Sequence, residues 1–237
     1  MAEAMRTCAW TLVISTIFFL GVGFAADQPE VKEEKDRISY SVGHQVGGDF
    51  KRQGVELNPD LFVKGVRDAM SGAKPLMTQQ EMNKTLVDLK KKIVAEEQRQ
   101  KKEAAGKNLQ EGKAFLAENA RKKDVRTLPS GLQYQVIEKG TGASPKKTDS
   151  VTVDYKGTLI DGTEFDSSYK RGKPATFRVD GVIAGWTEAL QLMMPGAKWQ
   201  LFIPANLAYG ERGAGSRIGP NSALIFEVEL ISVAPSK

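Results

Sequence analysis

Two residue types are nearly missing from this chain: its 237 residues include one cysteine and one histidine. A single cysteine cannot build a disulfide framework, a cysteine-based zinc site or an iron–sulfur cluster. A single histidine excludes a multi-histidine metal centre and leaves only His44 for a Ser–His or Cys–His pair. His44 lies in SVGHQVGG, far in sequence from any nucleophile, and reads as a helix-face or surface residue. Charge of one sign is scarce too. The 34 basic and 29 acidic side chains are interspersed and leave a net +5, so nucleic acid is not an expected partner. Gly140-Thr141-Gly142 and Gly213-Ala214-Gly215 lack the spacing of a phosphate loop and read as turns. Asp161, Glu164 and Asp166 are close in sequence, but Asp161 occupies a turn tip and no acid–base dyad is evident. No metal or cofactor is expected.

What is present divides into an address and three zones. Trp10 to Ala26 form an apolar run (WTLVISTIFFLGVGFAA) preceded by Arg6 and closed by small residues. This pattern predicts a secretory signal peptide over residues 1–25, with translation starting at Met1 or Met5. The apolar stretch is short for a membrane span. Cys8 precedes the run, unlike a lipid-modified cysteine at a cleavage point, and cleavage leaves a cysteine-free chain. The chain is therefore expected to be exported.

Residues 26–77 read as short amphipathic helices. Ile38, Val42, Val46 and Phe50 recur near helical spacing, and Asn58-Pro59 has the N-cap then N1 arrangement. So few large apolar groups make a weak core alone, and the zone is expected to need a partner chain. Residues 78–123 contain no proline and predict one long connecting helix. Thr78 and Glu81 form a capping-box pattern, and Met82, Leu86, Leu89 and Ile93 step by four, three and four as a short seam. Glu96 to Lys107 is polar all round, as in a rod bridging two bodies, although Gly106 and Gly112 suit a flexible linker. Residues 124–237 switch to period two. Val151, Val153 and Tyr155 alternate, Leu224 to Leu230 alternate, and Asp161-Gly162 marks a hairpin. The fold class is therefore α+β: a helical amino-terminal module, a long helix, and an antiparallel sheet of five or six strands. One short helix, Trp186 to Met193, packs on the concave face of that sheet.

The carboxyl-terminal zone concentrates aromatics: Tyr155, Phe165, Phe177, Trp186, Trp199, Phe202, Tyr209 and Phe226. Aromatics on a sheet are more often core than site. Here, however, the segments VTVDYKGTLIDGTEFDSS, GKPATF, VIAGWTEALQLM, PANLAYG and IGPNSALIFEVEL follow in order. Together they resemble an FKBP-type peptidyl-prolyl cis–trans isomerase domain. SYSVGHQVGGDFKRQGVELNPDLFVKGVRDAMSG before a long charged helix resembles the macrophage infectivity potentiator branch of that family. The resemblance covers essentially the whole mature chain. It implies a homodimerisation module at residues 26–77 and an isomerase domain at 124–237.

The resemblance further implies an apolar bowl for a proline ring made by Tyr155, Phe165, Val182, Ile183, Trp186 and Phe226, with Trp186 as its floor. It assigns Asp166 as the pocket carboxylate and Arg171 as its ionic partner. Tyr209 and the Ile183 backbone N–H become donors to a substrate carbonyl, and Phe177 and Ile218 join the substrate-binding set. Ala175 stands where many eukaryotic members carry an aromatic residue, and Arg217 occupies a rim position that is often apolar. The implied partners are proline-containing unfolded or exported polypeptides, a second copy of the chain, and macrolide inhibitors such as rapamycin and tacrolimus. Two other readings use the same fold without catalysis: a periplasmic holdase chaperone and a surface virulence factor.

Overall fold

A computed structural model describes residues 31–236, so the expected signal peptide lies outside the described residues. The chain divides into two compact units that meet in sequence between Pro75 and Leu76.

The first unit holds α1 (Glu34–Arg52) and α2 (Pro59–Ser71). Asn58 caps α2 by accepting hydrogen bonds from the N–H groups of Asp60 and Leu61 at 3.0 and 3.1 Å, with Pro59 in the first turn. Neither helix buries a residue. Ile38, Tyr40, Val42, Leu61, Phe62, Val66 and Met70 are all exposed, so the apolar faces of these helices are uncovered within one chain.

The second unit starts with α3 (Gln79–Asn119), one unbroken helix of 41 residues. Thr78 and Glu81 close its start as a reciprocal capping box. Its final turns are not a rod in solvent. Asn108 donates to the Pro220 carbonyl at 2.8 Å, Phe115 packs against Phe202 at 6.0 Å between ring centres, and buried Asn119 donates to Gln133 at 2.9 Å. Gly112 permits this approach: a Cβ there would lie 3.1 Å from that of Ala223. The glycine that suited a flexible linker is thus a packing residue on an unbroken helix.

Seven antiparallel strands follow: β1 (Val125–Thr127), β2 (Gln133–Glu138), β3 (Ser150–Leu159), β4 (Glu164–Ser167), β5 (Ala175–Arg178), β6 (Lys198–Ile203) and β7 (Leu224–Ala234). Their order is β1-β2-β6-β7-β3-β4, and β5 shares the outer edge of β3 with β4. The count exceeds five or six because β1, β4 and β5 have only three or four residues each, too few to show an alternation of their own. Two further helices complete the unit, the single turn α4 (Ser168–Arg171) and α5 (Ala184–Leu190).

Period-two alternation sends Val151, Val153 and Tyr155 of β3, and Leu224, Phe226, Val228 and Leu230 of β7, into one core. Trp186, Ala189 and Leu190 of α5 fill that core from the concave side. Phe202 points to the opposite face, where α3 covers it.

Candidate active site

The concave face opens into a cavity of about 780 Å³. Tyr155, Phe165, Asp166, Phe177, Val182, Ile183, Trp186, Tyr209, Ile218 and Phe226 line it. Of the residues expected in the site, only Arg171 is not on the cavity wall.

Sheet register explains the gathering. Tyr155 opposes Val228, and Gly157 opposes both Phe226 and Asp166, so side chains from three adjacent strands converge on one patch. Trp186 enters from α5 and meets Tyr155 and Phe226 edge to face, each at 5.2 Å, and Phe177 at 6.0 Å. Phe165 stands against Phe226 at 5.4 Å. Trp186 is 4% exposed, and its indole N–H finds no acceptor among the described residues.

One wall is polar. The Tyr155 hydroxyl donates to Asp166, Arg171 donates to the other oxygen of the same carboxylate, and Arg171 also donates to the Tyr155 hydroxyl oxygen at 2.8 Å. The guanidinium lies 5.2 Å from the centre of the Tyr155 ring. Arg171 therefore acts from behind the wall, on α4, which Ser167 caps. Partial burial works to raise the Asp166 carboxyl. The hydrogen bond from Tyr155 and the Arg171 charge outweigh it and hold the group below its ordinary value. Burial, reinforced by the bond to Asp166, pushes the Tyr155 hydroxyl upward. The pair therefore rests as carboxylate and phenol.

Tyr209 also lines the cavity and is 40% exposed. The Ile183 N–H, at the start of α5, makes no hydrogen bond to another described residue. Gly181, Ala214, Gly215, Ser216 and Arg217 also line the cavity. Gly213-Ala214-Gly215, read from sequence as a plain turn, is indeed a turn, yet it builds a wall. The resemblance places its neighbours Tyr209, Arg217 and Ile218 at the site, but not these three residues. Most of the lining is apolar, and its polar groups include the Tyr209 hydroxyl, the Ile183 N–H, the Arg217 guanidinium and the Asp166 carboxylate paired with Arg171. The cavity can hold a compact apolar ring and grip a neighbouring carbonyl. Among the described residues no cluster of His, Cys, Asp or Glu is arranged to hold a metal ion.

Comparison with known proteins identifies the family. The family described as FKBP-type peptidyl-prolyl cis-trans isomerase matches residues 142–231, and the domain amino-terminal to such isomerases matches residues 35–136. The chain belongs to the FKBP-type peptidyl-prolyl cis–trans isomerases. It is 51% identical to the outer membrane protein MIP of Legionella longbeachae over 88% of this chain and 90% of that protein. It is 47% identical to the peptidyl-prolyl cis-trans isomerase Mip of Coxiella burnetii over 93% of this chain and 95% of that one. The crystal structure of FkpA from Escherichia coli aligns with a TM-score of 0.69 at 40% identity, covering 88% of this chain and all of the other. As a member of this family, the isomerase acts on proline-containing polypeptides and has the fold that FKBP-family inhibitors bind.

Proposed function

We propose that this isomerase is an exported homodimer that assists folding of envelope or secreted proteins, with the Trp186 bowl as its catalytic site. The observation that carries the site assignment is the convergence of Tyr155, Phe165, Trp186 and Phe226 on one apolar cavity with hydrogen-bond donors at its edge. An ordinary amide resists rotation by about 18–20 kcal/mol, and free X–Pro bonds isomerise in tens to hundreds of seconds. The twisted amide has lost resonance and is less dipolar than the planar ground state. An apolar bowl therefore favours the twisted form, and no bond needs to be broken. Tyr209 and the Ile183 N–H anchor a substrate carbonyl, while Asp166, held by Tyr155 and Arg171, orients the wall. Phe177 and Ile218 complete the substrate surface. Cis-to-trans relaxation of a Leu–Pro peptide, with and without rapamycin, tests this. Rapid and rapamycin-sensitive relaxation supports the assignment, and no acceleration by a folded sample overturns it.

The role given to Asp166 has a pH signature. Its carboxyl titrates below its ordinary 3.8 and the Tyr155 hydroxyl above its ordinary 10.0, so neither changes charge between those values. The rate constant is expected to be flat over that range, and Asp166→Asn to cost less than about tenfold, a single lost oriented hydrogen bond. A bell-shaped profile centred near neutrality would instead mean proton transfer. Stability follows the same signs. The depressed carboxyl contributes fully above its ordinary value, and that contribution is lost as pH falls through the lower folded value.

The homodimer is supported by the uncovered faces of α1 and α2, which bury nothing on their own. Two bowls on one dimer raise the effective concentration of a second site along the same client. This favours chaperoning as an addition to catalysis. Phe62 and Val66 lie one turn apart on α2, and Phe62→Asp with Val66→Asp is expected to halve the sedimenting mass. Rates per chain on a short Leu–Pro peptide should hold within about twofold, while protection of an aggregating client falls. Envelope localisation accords with the amino-terminal apolar run and with relatives from Gram-negative bacteria, one of them named as an outer membrane protein.

A further inference from the structure

We infer that Arg217 makes this isomerase selective for prolines flanked by an acidic side chain, an inference that rests on the bowl being the proline site. Arg217 lines the cavity beside Ile218, on a loop closed upon itself. Ala214 and Ile218 exchange backbone hydrogen bonds at 2.9 and 3.1 Å. Gly213 enters the loop at φ +66°, where a Cβ would lie 2.2 Å from the Ile218 carbonyl oxygen, so only glycine fits. The buried side chain of Ile218 pins the loop to the core. From that fixed base the Arg217 guanidinium reaches β4 and donates to the Phe165 carbonyl at 3.1 Å.

The charge at this rim is uncompensated. Asp166 and Arg171 neutralise each other, whereas Arg217 has only a neutral carbonyl as its partner among the described residues. A guanidinium carries five N–H donors, and a carboxylate is its geometric complement. Because one donor is already tethered, less side-chain freedom is lost when a carboxylate arrives. The site is exposed, so the gain is modest and screened by salt: about threefold in kcat/KM at low ionic strength.

The test compares Ala-Glu-Pro-Phe with Ala-Gln-Pro-Phe, and Ala-Leu-Pro-Glu with Ala-Leu-Pro-Gln, in catalysed cis–trans relaxation at low and high salt. Glutamate is expected to exceed glutamine by about threefold in at least one pair at low salt, with the ratio falling toward unity at high salt. Arg217→Gln should bring the ratio to unity at low salt, and Arg217→Glu should invert it. A ratio of unity in both pairs for the unaltered protein overturns the inference, as does a glutamate preference that survives in Arg217→Gln. The glutamine peptides separate the two levels of the argument. Their acceleration without discrimination overturns charge selectivity alone, while failure to accelerate any peptide overturns the bowl as the proline site and this inference with it.

Discussion

Trp186→Ala is expected to lower kcat/KM for a Leu–Pro peptide by at least about 100-fold, equivalent to about 2.7 kcal/mol of lost transition-state stabilisation. Three aromatic rings rest their edges on or against this indole, at 5.2, 5.2 and 6.0 Å. Removing it deepens the bowl and admits water beneath the proline ring, where desolvation is proposed to act. The same deletion leaves a large core cavity, and truncations of this size cost about 3–5 kcal/mol of stability. The two losses separate experimentally. Relaxation is measured well below the melting midpoint, on a sample whose near-native far-ultraviolet dichroism has been checked. Trp186→Phe provides the comparison, because it keeps an aromatic floor and removes an indole N–H that has no acceptor among the described residues. It should retain activity within about tenfold. If folded Trp186→Ala matched the unaltered protein, the floor assignment would be wrong and catalysis would have to lie elsewhere on the unit.

Much of this site was legible because a β-strand writes its two faces in alternate letters. Val151, Val153 and Tyr155 announce the inward face of β3, and Leu224 to Leu230 that of β7, so Tyr155 and Phe226 fall on the concave side by parity alone. That parity cannot say which strands are neighbours. The pairing of β3 with β7, which places Phe226 opposite Gly157, joins residues about seventy positions apart, and only the ordered family segments hinted at it. Short strands escaped for a related reason. Val125–Thr127 has two residues for one face and one for the other, and three residues carry no period.

The long helix shows the opposite limit. Its start was written locally, in Thr78 and Glu81, because a capping box satisfies backbone donors within one turn. Its docking was not, because Asn108, Phe115 and Asn119 are spread among charged residues and meet groups that lie elsewhere in the chain. Composition made this stretch look solvated on every side. Gly213-Ala214-Gly215 likewise shows itself in sequence only as a turn, since what sets Ala214 and Gly215 against the cavity is the neighbouring buried anchor Ile218.

Gly157→Val is expected to abolish catalysis by a different route, closing the bowl instead of opening it. A Cβ on Gly157 would lie 2.6 Å from Cε2 of Phe165 and 2.7 Å from Cε1 of Phe226, closer than real Cβ atoms come to carbon. Both rings belong to the proposed bowl, and they meet edge to face directly above this residue. The backbone there must be bare for the rings to lie against it. A valine pushes Phe165 and Phe226 off the backbone into the cavity, so kcat/KM should fall by about 100-fold or more. Overpacking of this kind costs typically about 1–3 kcal/mol of stability. Leu230→Ala supplies the control: it deletes a fully buried core side chain outside the cavity and should destabilise by about 2–5 kcal/mol. Measured below both melting midpoints, Leu230→Ala should keep its rate within about threefold, while Gly157→Val, the less destabilised protein, should be nearly inactive. Activity that merely tracked stability across the pair would show that the Phe165–Phe226 corner is core packing and not part of the proline site.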